Sequence, residues 1–256
     1  MELKLSDVDL LTLQSRREQE LEEARIIQQG MFPPESLVIG SVTMAHKVVP
    51  MTEVGGDFLD YFALSDATLG LYLGDVAGKG LPAALYAALA VGTLRGVQKT
   101  GACPTTVLEL LNRRLAMRGI PARYAATQYA LYDPATRRLH VSNGGVPGPL
   151  HLTARGCREL LLPGIPPGLL MEAGYEVKTL QLETGDSVVF FTDGITDAMN
   201  HRDELYGIER LVRLCEEHRG ARPAELLERI FSEVGEFVEG QQQRDDMTVA
   251  ILHCGE

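Results

Sequence analysis

GDVAGKGLPAAL, residues 74–85, follows the aliphatic run LGLYL of residues 69–73, and its glycine spacing invites comparison with a phosphate cradle. A P-loop needs four residues between its first glycine and its Gly-Lys pair, then Ser or Thr to reach magnesium. Here only Asp75, Val76 and Ala77 separate Gly74 from Gly78, and Gly80 follows Lys79. The stretch is therefore read as a β-strand ending in an acidic turn at Gly74-Asp75, then a helix from Pro82 to about Gln98. The run PAALYAALAV is apolar nearly all round, so this helix belongs in a core, with Pro82 suited to its first turn.

Working outward, β-rich runs separated by turn residues occupy Ile39–Val49, Phe58–Phe62, Tyr124–Tyr132, Leu139–Ser142, Leu150–Thr153, Cys157–Leu162, Tyr175–Leu182, Ser187–Thr192 and Met247–Cys254. A second helix opens at Pro104, with Thr106 and Glu109 at capping-box spacing. Two more cover Gly207–Glu217 and Pro223–Val238. Strands in consecutive groups, with helices gathered in pairs, do not form alternating βαβ units. They predict an α+β fold with antiparallel sheets and helices packed outside.

At 256 residues and 45% hydrophobic, the chain can bury a large single core. A net charge of −11 argues against partners that need clustered Lys and Arg, namely nucleic acid and anionic lipid surfaces. No stretch approaches the ~20 consecutive apolar residues of a membrane span, and the charged N-terminus lacks the features of a signal peptide. The expectation is a cytoplasmic protein. Cys103, Cys157, Cys215 and Cys254 have no CxxC spacing, as in a protein with reduced thiols.

From Asp7 to Gly30 the chain is dense in Glu, Gln, Arg and Leu until FPP stops it, which predicts a helix. Leu10, Leu21, Ala24 and Met31 keep a rough heptad that Gln14, Arg17 and Gln28 interrupt. Two readings stay open: a helix docked on its own domain, or a linker for homodimerisation or signal transfer. The boundary between linker (1–34) and main domain (35–256) is placed at the prolines.

The segments VGGDFLDY, LYLGDVAG, VVFFTDGITD and QQQRDDMTV each set Asp at the margin of an apolar strand. One such Asp is a turn residue by default. Several buried together cost several kcal/mol per ion unless paired or metal-bound, and few basic partners stand beside them in sequence. Hard oxygen donors without His or Cys clusters select Mg²⁺ or Mn²⁺ over zinc. Two such ions in an acidic cluster are a common way to activate water against a phosphoester. GGD at residues 55–57 continues Phe-Leu-Asp where diguanylate cyclases have Glu-Phe, and no GxSxG elbow occurs.

The ordered series VGGDFLDYF, GDVAGKGLPAAL, LLNRRL, NGGVPGPL, IPPGLL, GDSVVFFTDGITDAMN, LYGIERL and RDDMTVAIL resembles the PPM superfamily of metal-dependent Ser/Thr protein phosphatases, in its bacterial SpoIIE/RsbU-like branch. The resemblance implies two stacked antiparallel sheets flanked by helices, α-β-β-α, with a binuclear Mn²⁺/Mg²⁺ centre at one end. Carried over motif by motif, Asp57, Asp75, Asp193 and Asp245 would be the catalytic metal ligands, with the Val76 carbonyl supplying another oxygen. Asp197 would hold a weaker third metal, and Asp60 and Asp246 would serve in outer or turn roles. Val146 stands where the family usually has His, and Lys79 where His or Asn is frequent. Lys47 is a candidate, on charge alone, for the phosphate-gripping arginine of the eukaryotic relatives. The implied reaction is hydrolysis of phosphoserine or phosphothreonine on a protein by metal-activated water. An anti-sigma-factor antagonist is the expected substrate, and a sensor or regulator would act through the N-terminal helix. The rival from another class is a catalytically weak binding module.

Overall fold

The computed structural model describes residues 7–64, 68–117 and 119–255, with side chains from Thr12 onward, so Leu10 of the heptad lies outside the described side chains. In chain order the elements are α1 (Asp7–Gln29), β1 (Ser36–Ile39), β2 (Val42–Val49), β3 (Phe58–Ala63), β4 (Leu69–Val76), α2 (Gly80–Gln98), α3 (Pro104–Ala116), β5 (Ala125–Asp133), β6 (Arg138–Gly144), β7 (Leu150–Thr153), β8 (Gly156–Glu159), β9 (Val177–Gln181), β10 (Ser187–Phe191), α4 (Asp193–Thr196), α5 (Ile208–Glu217), α6 (Pro223–Val238) and β11 (Met247–Cys254). One sheet runs β1-β2-β11-β10-β7-β8 and the other β3-β4-β5-β6-β9. Every pairing in both is antiparallel.

The central strands β4, β10 and β11 are buried almost throughout because both of their faces are covered. In β10, Val188 and Phe190 enter the core between the sheets, where Leu71 and Leu73 of β4 meet them. Val189 and Phe191 point the other way, onto Leu211 and Leu214 of α5 and Leu226 and Ile230 of α6. On the second sheet Tyr72 and Tyr129 turn outward to Ala83, Ala87 and Leu94 of α2 and Leu108 and Leu111 of α3. Each fully buried Leu or Phe contributes about 1.5–3 kcal/mol, so three such layers account for the α-β-β-α stack. α2 is long and apolar enough to cross a membrane. Its buried face, Ala83 through Leu94, is instead spent on this core.

β4 does not end at Gly74-Asp75. It continues through Val76, paired with Ala125 of β5, and the turn begins at Ala77. Gly74 lies opposite Phe58 in the ladder, and a Cβ there would run into the Phe58 ring and the Ala126 carbonyl. The glycine thus serves strand packing. The single run expected at Ile39–Val49 is a hairpin, β1 and β2, turned at Gly40 with φ +58°. Thr106 does not cap α3: the N-cap is Cys103, with Pro104 in the first turn.

From Thr12 to Ile27 the α1 side chains are exposed or half-exposed, and only at Gln28 does one become buried. Gln28 Nε2 donates to the Gly55 carbonyl at 2.7 Å, and the Gly55 N–H donates to Gln28 Oε1 at 3.0 Å. The helix is held by its last turn, so lengthwise docking on its own domain does not describe it.

Candidate metal centre

Asp57 leads into β3 and Asp75 sits near the end of β4, both on the five-stranded sheet. Asp193 follows β10, and Asp245 and Asp246 precede β11, on the six-stranded sheet. Stacking brings these ends together. One carboxylate oxygen each from Asp57, Asp75 and Asp246 lies within 4.8 Å of the other two.

Asp57 is buried. Its Oδ2 accepts from Thr192 Oγ1 at 2.8 Å and Thr248 Oγ1 at 2.6 Å, while its Oδ1 has no hydrogen-bond partner among the described residues. Burial first, then the charges of Asp75 and Asp246, push its pKa well above the ordinary range, and the two threonines only partly offset this. Asp75 is raised to about 7 by burial, then by Asp193, Asp245 and Asp246. Asp193 is exposed at the rim, and its carboxyl is raised by partial desolvation, then by Asp245 and Asp197. Asp197 is exposed one turn on, its N–H donating to the Asp193 carbonyl at 2.7 Å. A Cβ on Gly56 would stand 3.0 Å from the Val76 carbonyl oxygen and 3.1 Å from Asp75 Oδ1, so these two oxygens converge on a bare backbone.

The sequence set Asp246 aside for an outer or turn role, and the structure puts its carboxylate in the tightest trio. Oδ1 accepts from the Met51 N–H at 2.7 Å and Oδ2 from the Gly56 N–H at 2.6 Å, so it fastens the Asp57 loop to β11. Asp245 instead offers Oδ2 to Lys79 Nζ at 3.0 Å, and Lys79 also reaches the Arg244 carbonyl. Lys79 is therefore engaged at the site. Lys47, the charge-based candidate, is held by both oxygens of Glu228 at 2.9 Å and lies over the Phe231 ring. Asp60 stands apart: its Oδ2 accepts from Arg95 Nε at 2.9 Å and from Tyr72 at 3.2 Å. Thr192 and Thr248 were not singled out from sequence. Their signal was adjacency, since Thr192 adjoins Asp193 and Thr248 lies three residues after Asp245.

The donor set fits hard divalent cations. A desolvated carboxylate oxygen without a partner, beside two further carboxylates and a backbone carbonyl, is the coordination chemistry of Mg²⁺ and Mn²⁺. The sequence-predicted residues Asp57 and Asp75 sit within the trio, while Asp193 and Asp245 act on Asp75 through their charges.

The chain is 27% identical to the phosphoserine phosphatase RsbU of Bacillus subtilis over 249 residues, 94% of this chain and 71% of that protein. It is 26% identical to Protein IcfG of Synechocystis over 91% of this chain but only 41% of that protein, so it spans less than half of that relative. The SiaA-PP2C domain of Pseudomonas aeruginosa superposes with a TM-score of 0.84 at 22% identity, covering 94% of this chain and 98% of that one, and shows the same fold. The model of the family described as Stage II sporulation protein E (SpoIIE) matches residues 65–255, and the chain belongs to that family.

Proposed function

We propose that the chain is a metal-dependent protein phosphatase that hydrolyses phosphoserine or phosphothreonine on a protein partner. The observation that carries this reading is Asp57 Oδ1, a buried oxygen without a partner inside a three-carboxylate cluster. Membership of the SpoIIE family and the likeness to RsbU, which is named a phosphoserine phosphatase, support it. Asp57, Asp75, Asp193, Asp245 and the Val76 carbonyl would hold two Mn²⁺ or Mg²⁺ ions, with Asp197 at a third, weaker position. When bound, such ions lower the pKa of water and neutralise phosphoryl charge.

The chain's own residues prepare that chemistry. The Thr192 and Thr248 hydroxyls pin one oxygen of Asp57 and leave the other as the free donor. Asp246 holds the backbone at Met51 and Gly56. Lys79, paired with Asp245 beside the cluster, is a cation placed to meet a phosphoryl group. An anti-sigma-factor antagonist in a cytoplasmic partner-switching circuit is the proposed substrate, with a regulator acting through α1.

The test is Mn²⁺-dependent phosphate release from such a phosphoprotein, in parallel with calorimetric Mn²⁺ binding. Asp75→Ala and Asp193→Ala should lower the rate by at least 10²-fold. Undiminished rates would overturn the assignment, whereas tight Mn²⁺ binding without any release would mark a binding module.

A further inference from the structure

At the end of the six-stranded sheet away from the carboxylates lies a pair of thiols that the proposed reaction does not use. β8 carries Cys157, which pairs with Leu152 of β7, and Leu152 in turn pairs with Ser187 at the start of β10. Asp193 follows the other end of β10, on the order of 13 Å away along the strand. α5 buries Cys215 in the same core layer against which Cys157 of β8 packs, and each thiol perturbs the acidity of the other. Cys215 is fully buried and Cys157 half-buried. The approach is fixed by the backbone as well, because the Cys157 N–H donates to Glu216 Oε1 at 2.9 Å. Cys157 also lines an open recess of about 670 Å³ with Arg155, Arg158, His151 and Asp186, roomy enough for a small oxidant.

The two sulfurs differ in reactivity. The neighbouring Cys215 thiol lowers the pKa of Cys157, against the opposing effects of burial and Glu216. The same neighbour relation, followed by burial, raises that of Cys215. The accessible member is thus the better thiolate and the buried member sits within reach as its resolving partner. Cys103 is exposed, and Cys254 hydrogen bonds to the Tyr132 hydroxyl at 3.3 Å; neither has a thiol partner among the described residues.

We propose that Cys157 and Cys215 form a peroxide-sensitive dithiol that closes into a reversible disulfide between β8 and α5. The Cys157 thiolate attacks one oxygen of hydrogen peroxide and becomes a sulfenic acid, while the departing hydroxide takes up a proton to leave as water. The Cys215 thiol then attacks that sulfur, and its proton leaves with the sulfenic hydroxyl as a second water. Two thiols and one peroxide become one disulfide and two waters. A dithiol reductant such as dithiothreitol reverses the step.

The experiment treats the folded full chain with hydrogen peroxide, blocks remaining thiols and maps tryptic peptides by mass. The expected product joins GCR (156–158) to LCEEHR (214–219), lost on dithiothreitol treatment. Closing this loop should raise the melting midpoint by roughly 5–10 °C. In Cys215→Ala, Cys157 should instead accumulate a sulfenic acid trapped by dimedone. Sulfinic acid on Cys157 of the unaltered chain without the joined peptide would overturn the proposal. So would equal dimedone labelling of the unaltered chain and the variant.

Discussion

At Asp57 two threonine hydroxyls satisfy one oxygen and no described group satisfies the other, so without a cation the folded chain bears there either a desolvated charge or a proton taken up at a raised pKa. Asp57→Asn keeps the acceptor for Thr192 and Thr248 and removes the charge. It should raise the melting midpoint of the metal-free chain by a few degrees while abolishing the further rise caused by Mn²⁺, both read in one thermal scan with and without chelator. A lower metal-free midpoint would show that the carboxylate is not the destabilising element. Acidity at Asp75 gives a second expectation. Its carboxyl is raised from 3.8 to about 7 by burial and then by Asp193, Asp245 and Asp246. Between those values the folded metal-free chain retains a proton that the unfolded chain has released, so stability falls as pH rises through that window. The chelated protein should therefore melt higher near pH 5.5 than near pH 8, and saturating Mn²⁺ should shrink or reverse that order.

At the level of elements, α1 grips the site loop through Gln28. Arg95 of α2 reaches both Asp60 of β3 and the Met31 carbonyl just beyond α1. Gln28→Ala would leave the Gly55 N–H and carbonyl without their partner, at a cost of about 1–3 kcal/mol. Hydrogen exchange should then quicken over the last turns of α1 and at residues 55–57, with little change in β5 or β6. Much of this layer was legible in the sequence. β7, β11 and α6 have the bounds read from their apolar runs and from Pro223 in a first helical turn. The hairpin of β1 and β2 was missed because β-branched residues outweighed Gly40-Ser41, a two-residue turn signal. The extension of β4 was missed because Gly74-Asp75 has turn composition. Only pairing with Phe58 and Ala126 shows why it stays extended.

Across the molecule, α1 has an exposed shaft that includes Leu13, Ile26 and Ile27. Deleting residues through Gly30 should change either the mass in solution or the phosphatase rate, measured by light scattering and phosphate release; if neither moves, α1 is packing alone. The candidate aspartates could be read one by one from their strand margins, because each motif is local. The hydrogen bonds of Asp246 to Met51 and Gly56 could not, since these groups meet only when one layer settles on the other. The same separation hid the engagement of Lys79 with Asp245 and of Lys47 with Glu228. Asp57 and Asp75 belong to one layer and Asp193, Asp245 and Asp246 to the other. A cation among them would be a rivet through the seam, and its removal should let the sheets shear, with protection falling in step on both sides, at Phe58 and at Met247.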